Sequence, residues 1–305
     1  MSSSEFRPGY NSCMLCARAC GVDRTAGQLG FCRANAAPRV SRAALHMWEE
    51  PSISGTRGSG TIFFSGCSLG CIYCQNREIS RGDSGIEITN SRLAEIMLEL
   101  QEKSAHNINL VTPTHYVPSI IEAVSLARSE GLSVPVVYNT GSFDTAETVK
   151  ALKDTVNIFL PDLKYYLPGT AQRLSSAPTL PQVSRIAIEQ MVKQTGSPRF
   201  DSEGIMLSGV IVRILLLPGH LAEAKLNVKH LHTAYGDSIY LSLMSQYTPR
   251  EDLPPPLNRR VTAQEYRELV NYAISLGVKQ AYTQDRTSVG ESFIPPFDHT
   301  GVIKP

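Results

Sequence analysis

Three cysteines, Cys67, Cys71 and Cys74, form a C-x3-C-x2-C array within GSGTIFFSGCSLGCIYCQNREIS, residues 58–80. Thiolates are soft metal ligands, and a loop that holds Gly66 and Gly70 can curl tightly enough to aim all three at one centre. A structural zinc or an ordinary cubane cluster takes four protein ligands. Three close cysteines with no fourth nearby suit an iron–sulfur cluster with one iron left open. The alternative is a structural metal knuckle completed by a distant fourth ligand.

A second set precedes the first. Cys13, Cys16, Cys20 and Cys32 are spaced C-x2-C-x3-C-x11-C in CMLCARACGVDRTAGQLGFC, with Gly21, Gly27 and Gly30 as turn residues. Four thiolates in one short segment make a closed set that suits either tetrahedral zinc or an auxiliary cluster relaying electrons. The spacing does not choose between them. A short Gly-rich segment buries little surface alone, so a metal would order it.

These loops need a scaffold. The apolar run Thr61–Phe64, just before Cys67, reads as a buried strand. From there, strand-like runs near 108–112, 134–139, 156–160, 210–217, 238–244 and 279–283 alternate with helical segments. In 90–103, Leu93, Ile96, Met97 and Leu100 share one helical face. Asp144 to Glu147 and Thr262 to Glu265 have the spacing of capping boxes. The rhythm predicts an α/β fold with a parallel sheet, as a partial barrel of six or seven units or as a doubly wound open sheet. The expected organisation is a cysteine-rich metal-binding module over 1–57, a barrel over 58–285 and a tail over 286–305 that packs on the barrel. The proline-rich stretch 247–260 is expected to be an ordered loop or lid.

In a barrel of this kind, chemistry gathers at the carboxyl ends of the strands. Thr112, Thr114 and His115 follow the second strand, Asn139 the third, and Asp162 and Lys164 the fourth; Arg213 lies on the fifth. Lys164 and Arg213 suit a carboxylate ligand, and the hydroxyl and amide groups suit a ribose or an ammonium. His115 either offers a proton or hydrogen bond to a substrate or is packed away. Trp48 and His46 read as packing residues, and Glu49 with Glu50 as a solvated pair.

The cysteine loop, with Tyr73 just before its last cysteine, resembles the signature of the radical S-adenosylmethionine (SAM) superfamily. Gln75-Asn76 and the reach of the match, roughly residues 10–300, resemble more closely its pyruvate formate-lyase activating enzyme-like (PflX-type) group. The resemblance implies a (β/α)6 radical SAM-type barrel and a [4Fe-4S] cluster on Cys67, Cys71 and Cys74, with SAM chelated to the open iron. It implies reductive cleavage of SAM to a 5′-deoxyadenosyl radical that abstracts hydrogen, with activation of a glycyl-radical enzyme as the inherited substrate and flavodoxin or ferredoxin as electron donor. A small molecule or peptide is the alternative substrate. Leu160-Pro161-Asp162-Leu163-Lys164 resembles the Asp-x-Lys segment of glycyl-radical activating enzymes, where the lysine contacts SAM; Tyr73 is implied to meet the adenine. Two positions depart from the pattern. The carboxylate usual after the second strand is replaced by Val111-Thr112-Pro113-Thr114, and Asn139 stands where the activating enzymes have aspartate.

Composition sets limits. The chain has 305 residues, 42% hydrophobic, with formal charge +1, enough for a large core and without the basic block of a nucleic-acid binder. No apolar stretch is long enough to span a membrane, and the N-terminus lacks a leader's apolar core. An odd seven cysteines at ligand-like spacings argue for a reducing, cytoplasmic setting over disulfides. A zinc deaminase is disfavoured because its histidine and glutamate signature is missing. From a different class, a zinc-binding scaffold with both cysteine sets structural is the rival reading.

Overall fold

The computed structural model describes residues 8–82, 84–284 and 294–304. Its strands are β1 (Arg39–His46), β2 (Ser59–Phe64), β3 (Ile86–Glu87), β4 (Ile108–Val111), β5 (Val136–Thr140), β6 (Ile158–Pro161), β7 (Arg199–Phe200), β8 (Met206–Leu215), β9 (Tyr240–Met244) and β10 (Ala281–Thr283). The helices are α1 (Pro51–Ser54), α2 (Arg77–Ser80), α3 (Asn90–Glu102), α4 (Val117–Ser129), α5 (Ala146–Ala151), α6 (Pro168–Ser175), α7 (Leu180–Thr195), α8 (Leu221–Tyr235) and α9 (Ala263–Ser275).

Strands β2, β4, β5 and β6 are buried along their whole length, as parallel strands covered on both faces must be. The order β2-β4-β5-β6-β8-β9-β10 is parallel throughout and never doubles back. A doubly wound sheet reverses direction at a switch point; this one advances one way and curls. The outward side chains pack under the crossover helices. Inward side chains of β5, β6 and β8 (Val137, Ile158, Leu160, Met206, Ile211) converge on Ile53 of α1, with Tyr240 and Tyr282 against them. Ile53 therefore plugs the interior of a partial barrel.

Strand β1 lies antiparallel on β2, from Val40 opposite Phe64 to His46 opposite Ser59, and β3 pairs with β1. The sequence does not announce β1, because its half-buried residues do not alternate strictly between apolar and polar. The expected face of α3 is buried, and α9 carries the expected capping box of Thr262 and Glu265. The box at Asp144 is not formed. Thr145 caps α5, while the buried Asp144 carboxylate accepts the hydroxyls of Tyr138 and Thr140, each at 2.7 Å. Part of the tail, residues 286–293, lies outside the described residues. Beyond it, the Phe297 ring meets Phe63 edge-on at 5.5 Å and Arg42 pairs with Asp298 at 2.6 Å. Among the described residues no helix is long and apolar enough to cross a membrane.

The plug generates a test. Ile53→Ala should cost about 2–5 kcal/mol in denaturant unfolding, because the cavity it leaves is walled by three strands. Ile274→Ala, at a position 66% exposed, should stay within about 0.5 kcal/mol.

Candidate active site

The carboxyl ends of the strands open on one cavity of about 400 Å³. Cys67, Cys71 and Cys74 form one part of its wall; Thr112, Asn139, Asp162, Lys164 and Arg213 form another. Lines of sequence that are far apart meet here because every parallel strand ends on the same rim.

The loop after β2 is held from several sides. Gly66, at φ 91°, lies where a Cβ would stand 2.6 Å from the carbonyl oxygen of Cys32, so only glycine lets the N-terminal segment sit on the loop. Ile72 donates its N–H to Leu174 O at 2.9 Å, and Arg250 from the proline-rich segment donates to Ile72 O at 2.7 Å. Ser175, at the end of α6, donates its hydroxyl to Cys71 Sγ at 2.9 Å and shares a 2.7 Å bond with the Tyr165 hydroxyl. The Tyr165 hydroxyl also lies 2.9 Å from the Tyr73 hydroxyl. Tyr73 is buried, lines the cavity, and has its ring 6.2 Å from that of Tyr247.

The thiols are crowded and partly buried. Burial, then the neighbouring Cys71, push Cys67 up; burial, then Cys71 and Cys67, push Cys74 up to about 12. A multiply charged metal centre inverts this and deprotonates the thiols outright. The donor set therefore fits a cluster. Among the described residues no three His, Cys, Asp or Glu side chains stand at the spacing of a single ion's shell. Cysteines on different irons of a cluster stand farther apart than that.

Opposite the thiols is an ion network. Asp162 accepts from Lys164 Nζ at 2.7 Å and from Arg213 Nε at 2.8 Å. Arg213 also donates to Asn139 Oδ1 at 2.6 Å and lies 3.5 Å from Glu49. Burial alone would raise Asp162, but the Arg213 and Lys164 charges more than offset it and hold its carboxyl below the usual range. Burial works against Lys164's charge, and Asp162, with Cys71 behind it, overcomes that and keeps it above the usual lysine value.

Other expected residues fall differently. Thr112 lines the cavity, in a left-handed conformation at φ 57°. Thr114 lies among the buried hydroxyls behind the wall, 3.2 Å from the Thr140 hydroxyl. His115 is 2% exposed; its Nε2 donates to Ser65 O at 2.8 Å, and burial lowers it to about 3, so it is a neutral packed ring. Glu49 and Glu50 are not solvated: Glu50 is 7% exposed, and both line the cavity, as do His46 and the half-exposed Trp48. Nothing local to that stretch could reveal this, since it depends on α1 entering the barrel. Ser175 and Tyr165 carried no motif either.

The four N-terminal cysteines line one small pocket together with His115. Burial, then the charges of Cys32, Cys13 and Cys20, outweigh a backbone bond and push Cys16 up to about 12. The segment docks by Ala17 N–H to Phe143 O at 3.0 Å. Arg18, stacked 3.7 Å over Phe31, faces Cys16 and Cys20 as well as Cys67 and Cys71. Its guanidinium donates to Ser68 O at 2.9 Å and to Ser175 O at 3.0 Å. One residue thus ties the two cysteine sets together.

The network predicts a stability defect with a defined pH dependence. Arg213→Met leaves Asp162 and Glu49 buried without their guanidinium, and should cost about 3–5 kcal/mol in urea at neutral pH. Asp162's pKa is depressed, so its stabilising contribution is present above the unfolded value of about 3.9 and is lost as pH falls through the folded one. The gap between wild type and variant should therefore shrink below about pH 4.

The sequence profile of the radical SAM superfamily matches residues 61–223. A relative, the uncharacterized protein MJ0674 of Methanocaldococcus jannaschii, is 28% identical over 275 residues, which is 87% of this chain and 75% of the relative. Streptococcus suis SuiB bound to precursor peptide SuiA superposes with a TM-score of 0.49 at 12% identity, over 72% of this chain and 46% of that one. SuiB bound to S-adenosylmethionine gives 0.46 at 11% identity, over 72% and 48%. The chain thus spans about half the length of the solved structures it matches. The profile covers more than half of this chain and includes the three-cysteine loop, Lys164 and Arg213, so the chain belongs to the radical SAM superfamily, whose members use a [4Fe-4S] cluster and SAM.

Proposed function

We propose that the chain is a radical SAM enzyme in which Cys67, Cys71 and Cys74 hold the cluster and the adjoining cavity takes SAM. When bound, cluster and SAM supply reductive cleavage to methionine and a 5′-deoxyadenosyl radical that removes a hydrogen atom from the substrate. The observation that carries this reading is the wall itself. Three thiols line a large cavity without a fourth among the described residues, and face a buried network of charge. A zinc-dependent scaffold has no use for partly buried Lys164, Asp162 and Arg213 lining such a space.

The side chains divide the work. An ammonium has three donors and Lys164 spends one on Asp162, which leaves donors for the SAM carboxylate. Arg213, spread over Asp162, Asn139 and Glu49, acts chiefly by setting the position of those groups and by its charge. Asn139 and Thr112 supply polar contacts for the ribose or ammonium. Tyr73, pinned by Tyr165, offers a fixed ring for the adenine. Thr114 contributes to the wall behind them. Cys13, Cys16, Cys20 and Cys32 close on zinc or on a second cluster, and Arg18 passes the order of that site to the catalytic loop.

The resemblance to glycyl-radical activating enzymes supports a glycine of a partner enzyme as hydrogen donor, with flavodoxin or ferredoxin as reductant in the cytoplasm. A small-molecule or peptide substrate is the second reading, favoured by the cysteine-rich N-terminal segment, which the simplest activating enzymes lack.

Anaerobically reconstituted protein given SAM and dithionite should form 5′-deoxyadenosine, and Cys71→Ala should abolish it. Metal analysis of Cys16→Ser should show loss of zinc, or of part of the iron, with the rest retained. Zinc at both cysteine sets and no iron would sink the reading.

A further inference from the structure

Glu49 and Glu50 sit on the floor of the cavity, at the turn from β1 into α1, where Ile53 fixes them inside the barrel. Glu49 is held by Asn139 Nδ2 at 3.3 Å and by Arg213. Glu50 is not held. Its carboxyl lines the cavity, yet Oε2 has no hydrogen-bond partner among the described residues.

The charges on this wall do not balance. Among the described lining residues, Lys164 and Arg213 are the cations, while Asp162, Glu49 and Glu50 are the carboxyls. Both cations are committed to Asp162, and Arg213 also serves Glu49. His46, the other titratable base there, is lowered by burial and by Arg42, so it supplies no charge. Glu50 is left over. Burial, then the repulsion of Glu49 against the pull of Arg213, set its carboxyl at about 7. A buried carboxylate without a partner is costly, so this one holds a proton until a cation replaces it.

Beside it is an aromatic surface. Tyr282 lines the cavity, feels the charge of Glu50, and stacks on Tyr240 at 5.3 Å. A carboxyl next to an aromatic ring is the pairing that recognises ammonium and guanidinium groups.

We propose that Glu50 determines specificity: the substrate presents an ammonium or guanidinium group on a flexible arm, which takes the free oxygen of Glu50 beside Tyr282 and displaces its proton. This rests on the cavity being the site of the radical reaction. The chemistry is that of a lysine or arginine side chain or of a free amine.

The test uses the full chain, cluster-loaded and SAM-saturated, without reductant. Binding of cadaverine, agmatine and a blocked Gly-Lys-Gly peptide is followed by calorimetry in two buffers of different protonation enthalpy. The controls are 1-pentanol and the norleucine peptide. At about pH 6, where a carboxyl that titrates at about 7 is almost fully protonated, a cationic probe should bind with release of close to one proton, and the neutral controls should do neither. Glu50→Gln, with folding checked by cluster absorbance, should weaken the cation at least tenfold and remove the proton release. Tighter binding of the peptide assigns a protein side chain as the source, and tighter binding of the free amines assigns a small molecule. Equal binding by wild type and Glu50→Gln, preference for a neutral probe, or no binding by any probe would overturn the proposal. So would a loss of SAM affinity confined to Glu50→Gln, which would give that carboxyl to the ammonium of SAM. Failure of the wild type to bind SAM would instead overturn the reading on which the proposal rests.

Discussion

The constraint on which this molecule turns is the crowding of three partly buried thiols. Cys67 and Cys74 resist ionisation because of burial and because neighbouring thiolates would oppose their charge, so the loop gains little from the closeness of its cysteines until a positive centre joins them. The fold must hold the loop by other means, and it does. Leu174 O and Arg250 grip Ile72 from opposite sides, Ser175 reaches Cys71, and Arg18 clasps the carbonyls of Ser68 and Ser175. Gly66 accepts the backbone of Cys32 directly against it. The N-terminal segment is thus part of the three-cysteine loop's support.

The second constraint is charge at the open end of the barrel. Arg213 of β8 reaches Asn139 of β5 across β6, so side chains from the ends of three strands join in one network. Ile53 supports the same strands from inside. The same plug carries Glu49 and Glu50 to the floor of the cavity, so one short segment both fills the core and furnishes polar groups. Fold and site share a cause here.

Much of this is legible in the sequence, for physical reasons. A three-cysteine loop after an apolar strand, the helical face of α3 and the capping box of α9 are local patterns that tertiary structure did not override. Asn139, Asp162, Lys164 and Arg213 are legible because strand ends in a one-way parallel sheet must share a rim. What is not legible is set by distant partners. Asp144 has the spacing of a cap, but the hydroxyls of Tyr138 and Thr140 compete for it and win. Glu49 and Glu50 have the composition of a solvated pair and are buried only because α1 turns inward. Thr114 and His115 follow a strand as site residues do, yet they point behind the wall. Arg18, Ser175 and Tyr165 act across long sequence separations that leave no motif.

The central claim is that the three-cysteine loop holds a cluster with an iron open to SAM. The most direct measurement is the electron paramagnetic resonance spectrum of the dithionite-reduced, reconstituted protein, recorded with and without SAM. It is made beside a Cys71→Ala variant, so that the signal of this cluster is told from any on the N-terminal cysteines. The account predicts a reduced-cluster signal whose line shape changes when SAM is added. A signal indifferent to SAM would contradict it, as would a protein that takes up no iron on these three cysteines.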